Sequence, residues 1–172
     1  MKRIALIAAA CVLAFCPASA QVPAGEFSYS PVTPGSWGYR AVAGGSEATF
    51  VDTTGTARMA VACGRVTRLV TLSRISAAPA SSFSLWTSSA TRNLGATFDQ
   101  RSGRVIAQVS SNDAILDAIA FSRGRFALSM PGFPALVLRA GPEVAHVVED
   151  CRACRRQANS RELQICSALQ VL

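Results

Sequence analysis

Short stretches of alternating apolar and polar residues, separated by turn-forming residues, constrain the fold of this chain most. They lie at residues 37–43, 47–52, 57–63, 67–75, 83–87, 94–98 and 105–109. A period of two is typical of strands with one buried face. Many short strands with frequent turns favour an antiparallel sheet, folded as a small sandwich or a barrel-like sheet.

The alternation also assigns faces to two of these strands. Met59 and Val61 share one face of the segment at 57–63. In the segment at 67–75, Val70, Leu72 and Arg74 lie on one face together with Arg68, opposite Leu69, Thr71 and Ser73.

After residue 110 the apolar period changes to that of a helix. We expect a helix at 112–122, capped by Ser111 and stopped by Gly124. Residues 125–130 and 135–139 then flank Pro131-Gly132, which predicts a hairpin with a type II turn. The sequence therefore predicts an α+β fold with one inserted helix.

Two further helices are predicted at the C-terminal end and would form a helical pair. Pro142 suits the first position of a helix that would continue through Cys154. The buried stripe of this helix would consist of Val144, Val147, Val148 and Cys151. Asn159 and Glu162 form a capping box for a last helix that ends near Leu169.

The first twenty residues are typical of a secretory signal. Lys2 and Arg3 precede an apolar run at residues 4–16, and small residues at 18–20 predict cleavage after Ala20. The run is too short to span a membrane. We expect an extended N-terminal arm at 21–36, one domain at 37–152, and a tail at 153–172 stapled by a disulfide. The protein would be periplasmic or secreted.

Composition narrows the class of protein. Half of the residues are hydrophobic and 16% are charged, which excludes a disordered chain. The formal net charge is +7, and it falls to +5 without Lys2 and Arg3. So few cations in an exported protein make nucleic acid a poor partner.

Four cysteines follow the signal: Cys63, Cys151, Cys154 and Cys166. In an oxidising compartment they favour two disulfides, for which three pairings exist. We favour Cys63–Cys151 and Cys154–Cys166. The alternative is a redox-active Cys151/Cys154 pair, since the two form a C-x-x-C motif. A zinc site is not expected, because Cys63 and Cys166 lack a close second cysteine, and we expect no other metal or cofactor.

Catalytic constellations are missing from the sequence. His146 is the sole histidine, and Asp150 four residues later predicts a helical ion pair. No nucleophile elbow, phosphate-binding glycine loop or zinc-protease motif is present. We therefore expect a protein that is not an enzyme.

Two sets of residues are candidates for binding. Four C-terminal arginines would suit an anionic lipid or glycan: Arg152, Arg155, Arg156 and Arg161. Trp37 and Tyr39, with Phe27 and Tyr29 upstream, would suit a sugar or peptide, although core packing also explains them. Arg125 is expected to pair with Glu149 or Asp150.

Two stretches carry a resemblance to known proteins. DAILDAIAFSRGRF at 113–126 and VVEDCR at 147–152 resemble a set of small exported alphaproteobacterial proteins of unknown function. The layout of elements is more distantly similar to the invasion-associated locus B proteins, which are periplasmic and rich in β-structure. The resemblance implies an exported α+β domain and a Cys63–Cys151 bridge. It provides no catalytic residues, and the tail after Arg152 departs from the pattern.

Together these observations predict an exported binding or structural protein of the periplasm or cell envelope. Its partner would be an envelope protein or an anionic envelope component. A thiol–disulfide redox protein is the alternative.

Overall fold

The computed structural model describes residues 27–122 and 124–153, and these form ten strands and two helices. Both sheets are antiparallel throughout. The strands are β1 (Gly35–Val42), β2 (Gly45–Asp52), β3 (Ala57–Gly64), β4 (Leu69–Ile75), β5 (Ser82–Thr87), β6 (Thr91–Gly95), β7 (Thr97–Asp99), β8 (Arg104–Ser110), β9 (Phe126–Met130) and β10 (Phe133–Leu138). The helices are α1 (Ala114–Ala120) and α2 (Pro142–Arg152).

Six strands form the first sheet, in the order β1-β2-β3-β4-β8-β7. Tight turns join the first four, and Gly44 and Gly55 adopt positive φ angles in two of those turns. Met59, Val61, Val70 and Leu72 are fully buried on the inner face. The faces predicted from alternation are thus confirmed for these residues, whereas Arg68 lies in the turn before β4 with a positive φ angle and does not share the strand face predicted for it.

Four strands form the second sheet, in the order β10-β9-β5-β6. The single strand predicted at 94–98 is wrong. Residues on either side of Ala96 belong to different sheets, because β6 pairs with β5 whereas β7 pairs with β8. Alternating hydrophobicity shows only that one face of a strand is buried. Both sheets bury one face here, so the pattern does not show that the chain passes from one sheet to the other at Ala96.

The two sheets share one hydrophobic core. It takes Phe50 and Leu72 from the first sheet, Phe83 and Leu128 from the second, and side chains from both helices. The prediction of an α+β fold built on antiparallel sheets is confirmed, and because the sheets are not closed the barrel-like alternative is not.

Helix α1 is shorter than predicted and has a different cap. Asp113 is the N-cap, and its carboxylate accepts a hydrogen bond from the Ile115 amide at 3.0 Å. Ser111, the predicted cap, is instead buried, and its amide donates to the carbonyl of Arg68. Aspartate caps as well as serine does, so capping preference alone does not separate the two positions.

The predicted hairpin at 125–139 is present as β9 and β10. Gly132 has a φ angle of +78°, as the second central position of a type II turn requires. The register shifts between Phe133 and Leu136, so β10 bulges at this point. Pro134 lies in the bulge, where a residue without an N–H is tolerated.

Helix α2 begins as predicted, with Gly141 as N-cap and Pro142 in the first turn. Val144, Val147, Val148 and Cys151 are buried, as the stripe predicts. The helix ends at Arg152 and Ala153 is already extended, so the prediction that the helix continues through Cys154 is wrong. The second helix of the predicted C-terminal pair lies outside the described residues.

The described part of the N-terminal arm crosses the edge of the second sheet. Phe27 packs edge-on against Trp86 with ring centroids 5.9 Å apart, and Val32 adds to this small second cluster. The amide of Thr33 donates to the carbonyl of Val137 in β10 at 2.8 Å. The predicted signal at 1–20 lies outside the described residues. Within 27–122 and 124–153, no helix has the length and apolarity needed to cross a membrane.

Candidate functional site

A disulfide joins the first sheet to α2. Cys63 near the end of β3 and Cys151 near the end of α2 are bonded, with Cα atoms 5.4 Å apart. The two side chains are 4% and 1% exposed. Because α2 directs its buried stripe at β2 and β3, Cys151 meets Cys63 as a consequence of helix docking. Cys154 and Cys166 lie outside the described residues, so their pairing stays a prediction.

This bond bears on the redox alternative. A cysteine bonded to Cys63 cannot at the same time bond to Cys154. Attack by an outside thiol also requires access to a sulfur, and Cys151 is buried against the sheet. In this arrangement Cys151 is therefore not free to pair with Cys154.

Trp37 is packed against the core and does not project from the sheet. Its indole N–H donates to the carbonyl of Arg139 at 2.9 Å. Its ring meets Phe50 edge-on at 5.5 Å and stacks near Phe126 at 6.3 Å. One side lines a cavity of about 410 Å³ between the arm and Gly141. The residue thus serves packing first and leaves an edge available to a ligand.

Tyr39 fastens β1 to α2. Its hydroxyl donates to Asp150 Oδ2 at 2.6 Å, and its ring stacks on His146 at 4.2 Å with planes 8° apart. The hydrogen bond to Asp150 raises the pKa of Tyr39 above its usual value. Partial burial is the largest single influence and raises the pKa of Asp150. The hydroxyls of Tyr39 and Ser46 and the nearby charges of His146 and Arg65 together outweigh it, so the net shift of this pKa is downward.

The predicted His146–Asp150 ion pair is present, with Nε2 and Oδ1 4.0 Å apart. These two groups and Tyr39 could move a proton, but a reaction needs a nucleophile within reach. Ser46, beside Ala41 of β1, is fully buried; its hydroxyl lies close enough to Tyr39 and Asp150 to lower the pKa of each, although among the described residues it makes no well-aligned hydrogen bond. The cluster is therefore suited to docking the helix.

Arg152 is held within the fold. Its Nε donates to the Ser111 carbonyl at 2.8 Å, and its Nη1 binds Asp117 at 2.6 Å. These bonds join α2 to α1, and the carboxylate of Asp117 neutralises the charge of Arg152. The other members of the predicted anion-binding set, Arg155, Arg156 and Arg161, lie outside the described residues.

The predicted pairing of Arg125 with Glu149 or Asp150 is wrong. Arg125 Nη1 donates to the carbonyl of Ser30 at 2.6 Å. The carbonyls of the arm need hydrogen-bond donors and Arg125 supplies one, so the arginine anchors the arm.

Arg74 forms the site that the sequence analysis missed. It lies on the inner face at the end of β4 and is 8% exposed. Its Nη1 donates to the Leu128 carbonyl at 2.7 Å, and its Nη2 donates to the Pro134 carbonyl at 2.6 Å. The bulge in β10 leaves the Pro134 carbonyl without a ladder partner, and Arg74 satisfies it. The side chain thus ties the two sheets together.

No carboxylate among the described residues lies within ion-pair distance of Arg74. Burial, with a smaller effect from the charge of Arg58, lowers the pKa of Arg74 to about 10, which keeps it cationic at neutral pH. A buried charge is normally paired, because its desolvation costs several kcal/mol. Arg74 is therefore a cation with unused capacity for an anion.

Arg74 lines an open cleft of about 550 Å³. Arg58 and Thr33 line it with Arg74, and the other walls are Ile75, Ser76, Ala77 and residues 133–136. Its volume is in the range of small-molecule sites, about 300–1,000 Å³. The cleft brings together the end of β4, the start of β3, the β10 bulge and the arm.

Asp52 neutralises Arg58 at the margin of this cleft. Its carboxylate accepts hydrogen bonds from Arg58 Nε, from Thr54 Oγ1 at 2.6 Å, and from the amides of Thr54 and Thr56 at 2.9 and 3.0 Å. The Thr54 hydroxyl and then Arg58 are the main causes that hold the pKa of Asp52 well below its usual range. With Arg58 paired, the uncompensated charge of the cleft is that of Arg74.

One signal for this site was present in the sequence. The alternation at 67–75 places Arg74 on the same face as Val70 and Leu72, and a charged residue on a buried face requires an explanation. The partners of Arg74 come from residues 128 and 134, which no local pattern connects to β4.

Comparisons with known proteins add no family. No protein-family model, curated protein or solved structure matches this chain. Within the described ranges, no group of three or more His, Cys, Asp or Glu side chains could hold a metal ion. The case for a function therefore depends on the geometry of the chain itself.

Proposed function

We propose that this protein is an exported, non-enzymatic binding protein of the periplasm or cell envelope, and that its ligand carries an anionic group bound at Arg74. The predicted signal at 1–20 and the Cys63–Cys151 bond support export, since disulfides persist in oxidising compartments. One observation carries the binding function: a guanidinium that is 8% exposed lines a cleft and has no acidic partner among the described residues.

Arginine suits this role because its planar fork matches a carboxylate or a phosphate. Arg74 uses two donors on backbone carbonyls, and a guanidinium has five. Those two bonds also hold the side chain in one orientation, which lowers the entropy cost of binding.

The test uses the mature protein and two small anions, acetate and inorganic phosphate. Each is titrated at constant ionic strength against chloride, and amide shifts of Thr33, Ser76 and Ala77 are followed by NMR. We expect saturable shifts for at least one anion.

Two variants of equal charge change complete the test. Arg74→Gln should abolish saturation. Arg101→Gln, in the exposed turn before β8, should leave it unchanged. Shifts that do not saturate, or that persist in Arg74→Gln, would reject the proposal. Circular dichroism of Arg74→Gln establishes that the variant is folded, and Arg74→Lys provides a second, charge-conserving variant that should weaken binding without abolishing it.

A further inference from the structure

The walls of the Arg74 cleft are mainly apolar. Ile75, Phe133, Pro134 and Leu136 line it beside the guanidinium. Ile75 is 38% exposed and Leu136 is buried at 7%, so the apolar wall runs from the surface to the core. A small hydrated anion would cover none of this surface, and water would remain against it.

The charge of the cleft also limits its ligand. Arg58 is bonded to Asp52, so one positive charge, that of Arg74, is left uncompensated. A ligand with one negative charge would neutralise the site, whereas a phosphate dianion would leave a net negative charge in partly buried surroundings. Uncompensated buried charge is costly for ligand and protein alike.

The two features lie in a fixed order. Arg74 is held at the inner end by the carbonyls of Leu128 and Pro134, while Ile75 lies at the exposed end of the same strand. Ile75 follows Arg74 in the strand, so its side chain points to the other face and lines the cleft at its exposed rim. A ligand would place its charged head against Arg74 and its apolar body along Phe133 toward that rim.

We propose that the ligand of this cleft is an amphiphilic monocarboxylate, with a carboxylate bound by Arg74 and an apolar chain or ring along Ile75 and Phe133. This inference rests on the proposed function, because it requires that Arg74 bind an anion at all. It adds the class of the ligand and the direction in which it lies.

Four probes distinguish the contribution of the charged group from that of the apolar chain. They are acetate, octanoate, octan-1-ol and octyl phosphate, each used below its aggregation concentration. Dissociation constants are measured by isothermal titration calorimetry at pH 7 and constant ionic strength. We expect octanoate to bind at least tenfold more tightly than acetate, since each methylene that the cleft removes from water strengthens binding. Octanoate should also bind at least tenfold more tightly than octanol and octyl phosphate.

Two substitutions test the tail. Ile75→Ser should raise the dissociation constant of octanoate about threefold to tenfold and leave that of acetate unchanged. Val66→Ser removes a similar apolar side chain that is 92% exposed in the β3–β4 turn, and it should change neither affinity. Both positions are at the surface, so both variants should fold. Equal loss of octanoate binding in the two variants would overturn the assignment of the tail.

The outcomes distinguish the two proposals. If acetate and octanoate bind equally and Arg74→Gln loses both, the anion site stands and the amphiphile is rejected. If octyl phosphate binds more tightly than octanoate, the monocarboxylate is rejected. If octanol matches octanoate, or if none of the probes binds, the proposed function fails together with the inference.

Discussion

Four hydrogen bonds converge on the carboxylate of Asp52, from two threonines and an arginine. They form because β2 ends at Asp52 and the chain turns back over the next four residues, which brings the Thr54 and Thr56 amides to one carboxylate. The same carboxylate pairs with Arg58 and so fixes the charge of the cleft. At the scale of one residue, Asp52 thus links the geometry of this turn to the charge of the cleft.

Asp52→Asn should make unfolding less sensitive to acid. The folded-state pKa of Asp52 is depressed, so its contribution to stability is fully present above the unfolded value of about 3.9 and is lost as pH falls through the folded value. The urea midpoint measured between pH 7 and pH 2.5 should therefore fall less steeply in the variant. Glu149→Gln, an exposed acid-to-amide change on α2, is the control. Urea midpoints that fall equally steeply with decreasing pH in wild type and in Asp52→Asn would contradict the argument.

Arg74 shows what sequence can and cannot supply at this scale. Period-two alternation places its side chain on the inner face, which the structure confirms. Its hydrogen-bond partners depend on a bulge 60 residues away in sequence. The missing acid is likewise a property of the assembled fold.

At the scale of elements, the close pairing of β2 with β3 can be tested by substitution. Gly45 opens β2 opposite Gly64 of β3, and a Cβ at Gly45 would lie 1.7 Å from the carbonyl oxygen of Cys63. That oxygen is backbone in a central strand and cannot move without breaking the ladder.

Gly45→Ala should lower the free energy of unfolding by about 1–3 kcal/mol or more. Gly38→Ala is the matched control, because a Cβ at Gly38 meets nothing within 4 Å, and its effect should stay within about 0.5 kcal/mol. Urea unfolding followed by circular dichroism measures both. Equal destabilisation by the two substitutions would refute the steric account.

Elements differ in how far the sequence predicts them. The buried stripe of α2 is confirmed residue by residue, because a 3.6-residue period with a proline start has few alternatives. The sequence does not predict the end of α2 correctly, because no glycine follows the helix. It also does not reveal that the chain passes from one sheet to the other at Ala96, because a single residue is enough for that change.

The disulfide acts at the scale of the whole molecule. It joins β3 to α2 over a separation of 88 residues, and so it closes a loop that contains most of the described fold. A loop of this size restricts the unfolded chain more than a short one does.

Cys63→Ser/Cys151→Ser should lower the free energy of unfolding by about 2–5 kcal/mol, and dithiothreitol should lower that of wild type by at least as much, because it would also reduce the predicted Cys154–Cys166 bond. Urea midpoints with and without reductant measure both. Cys154→Ser/Cys166→Ser lacks the predicted second bond and keeps Cys63–Cys151, so reductant should lower its midpoint by the amount that this one bond contributes. A wild-type midpoint that ignores reductant would show that the bond adds no stability.

The Arg74 cleft belongs to this scale as well. Its walls come from β3, β4, β10 and the N-terminal arm. Such a site is invisible to motif analysis, since its residues share no spacing. It emerges only when two sheets are stacked.

Ala96 is the single residue between β6 and β7, and its amide is bonded to the Ser81 carbonyl at 2.8 Å. A one-residue connection holds the edges of the two sheets close together on that side. On the opposite side, the Thr33 amide of the arm is bonded to β10, and Arg74 bonds across to β9 and β10. The sheets are thus joined by the chain itself at one edge and by hydrogen bonds beside the Arg74 cleft, so we expect opening motions between them to begin on the side of the cleft.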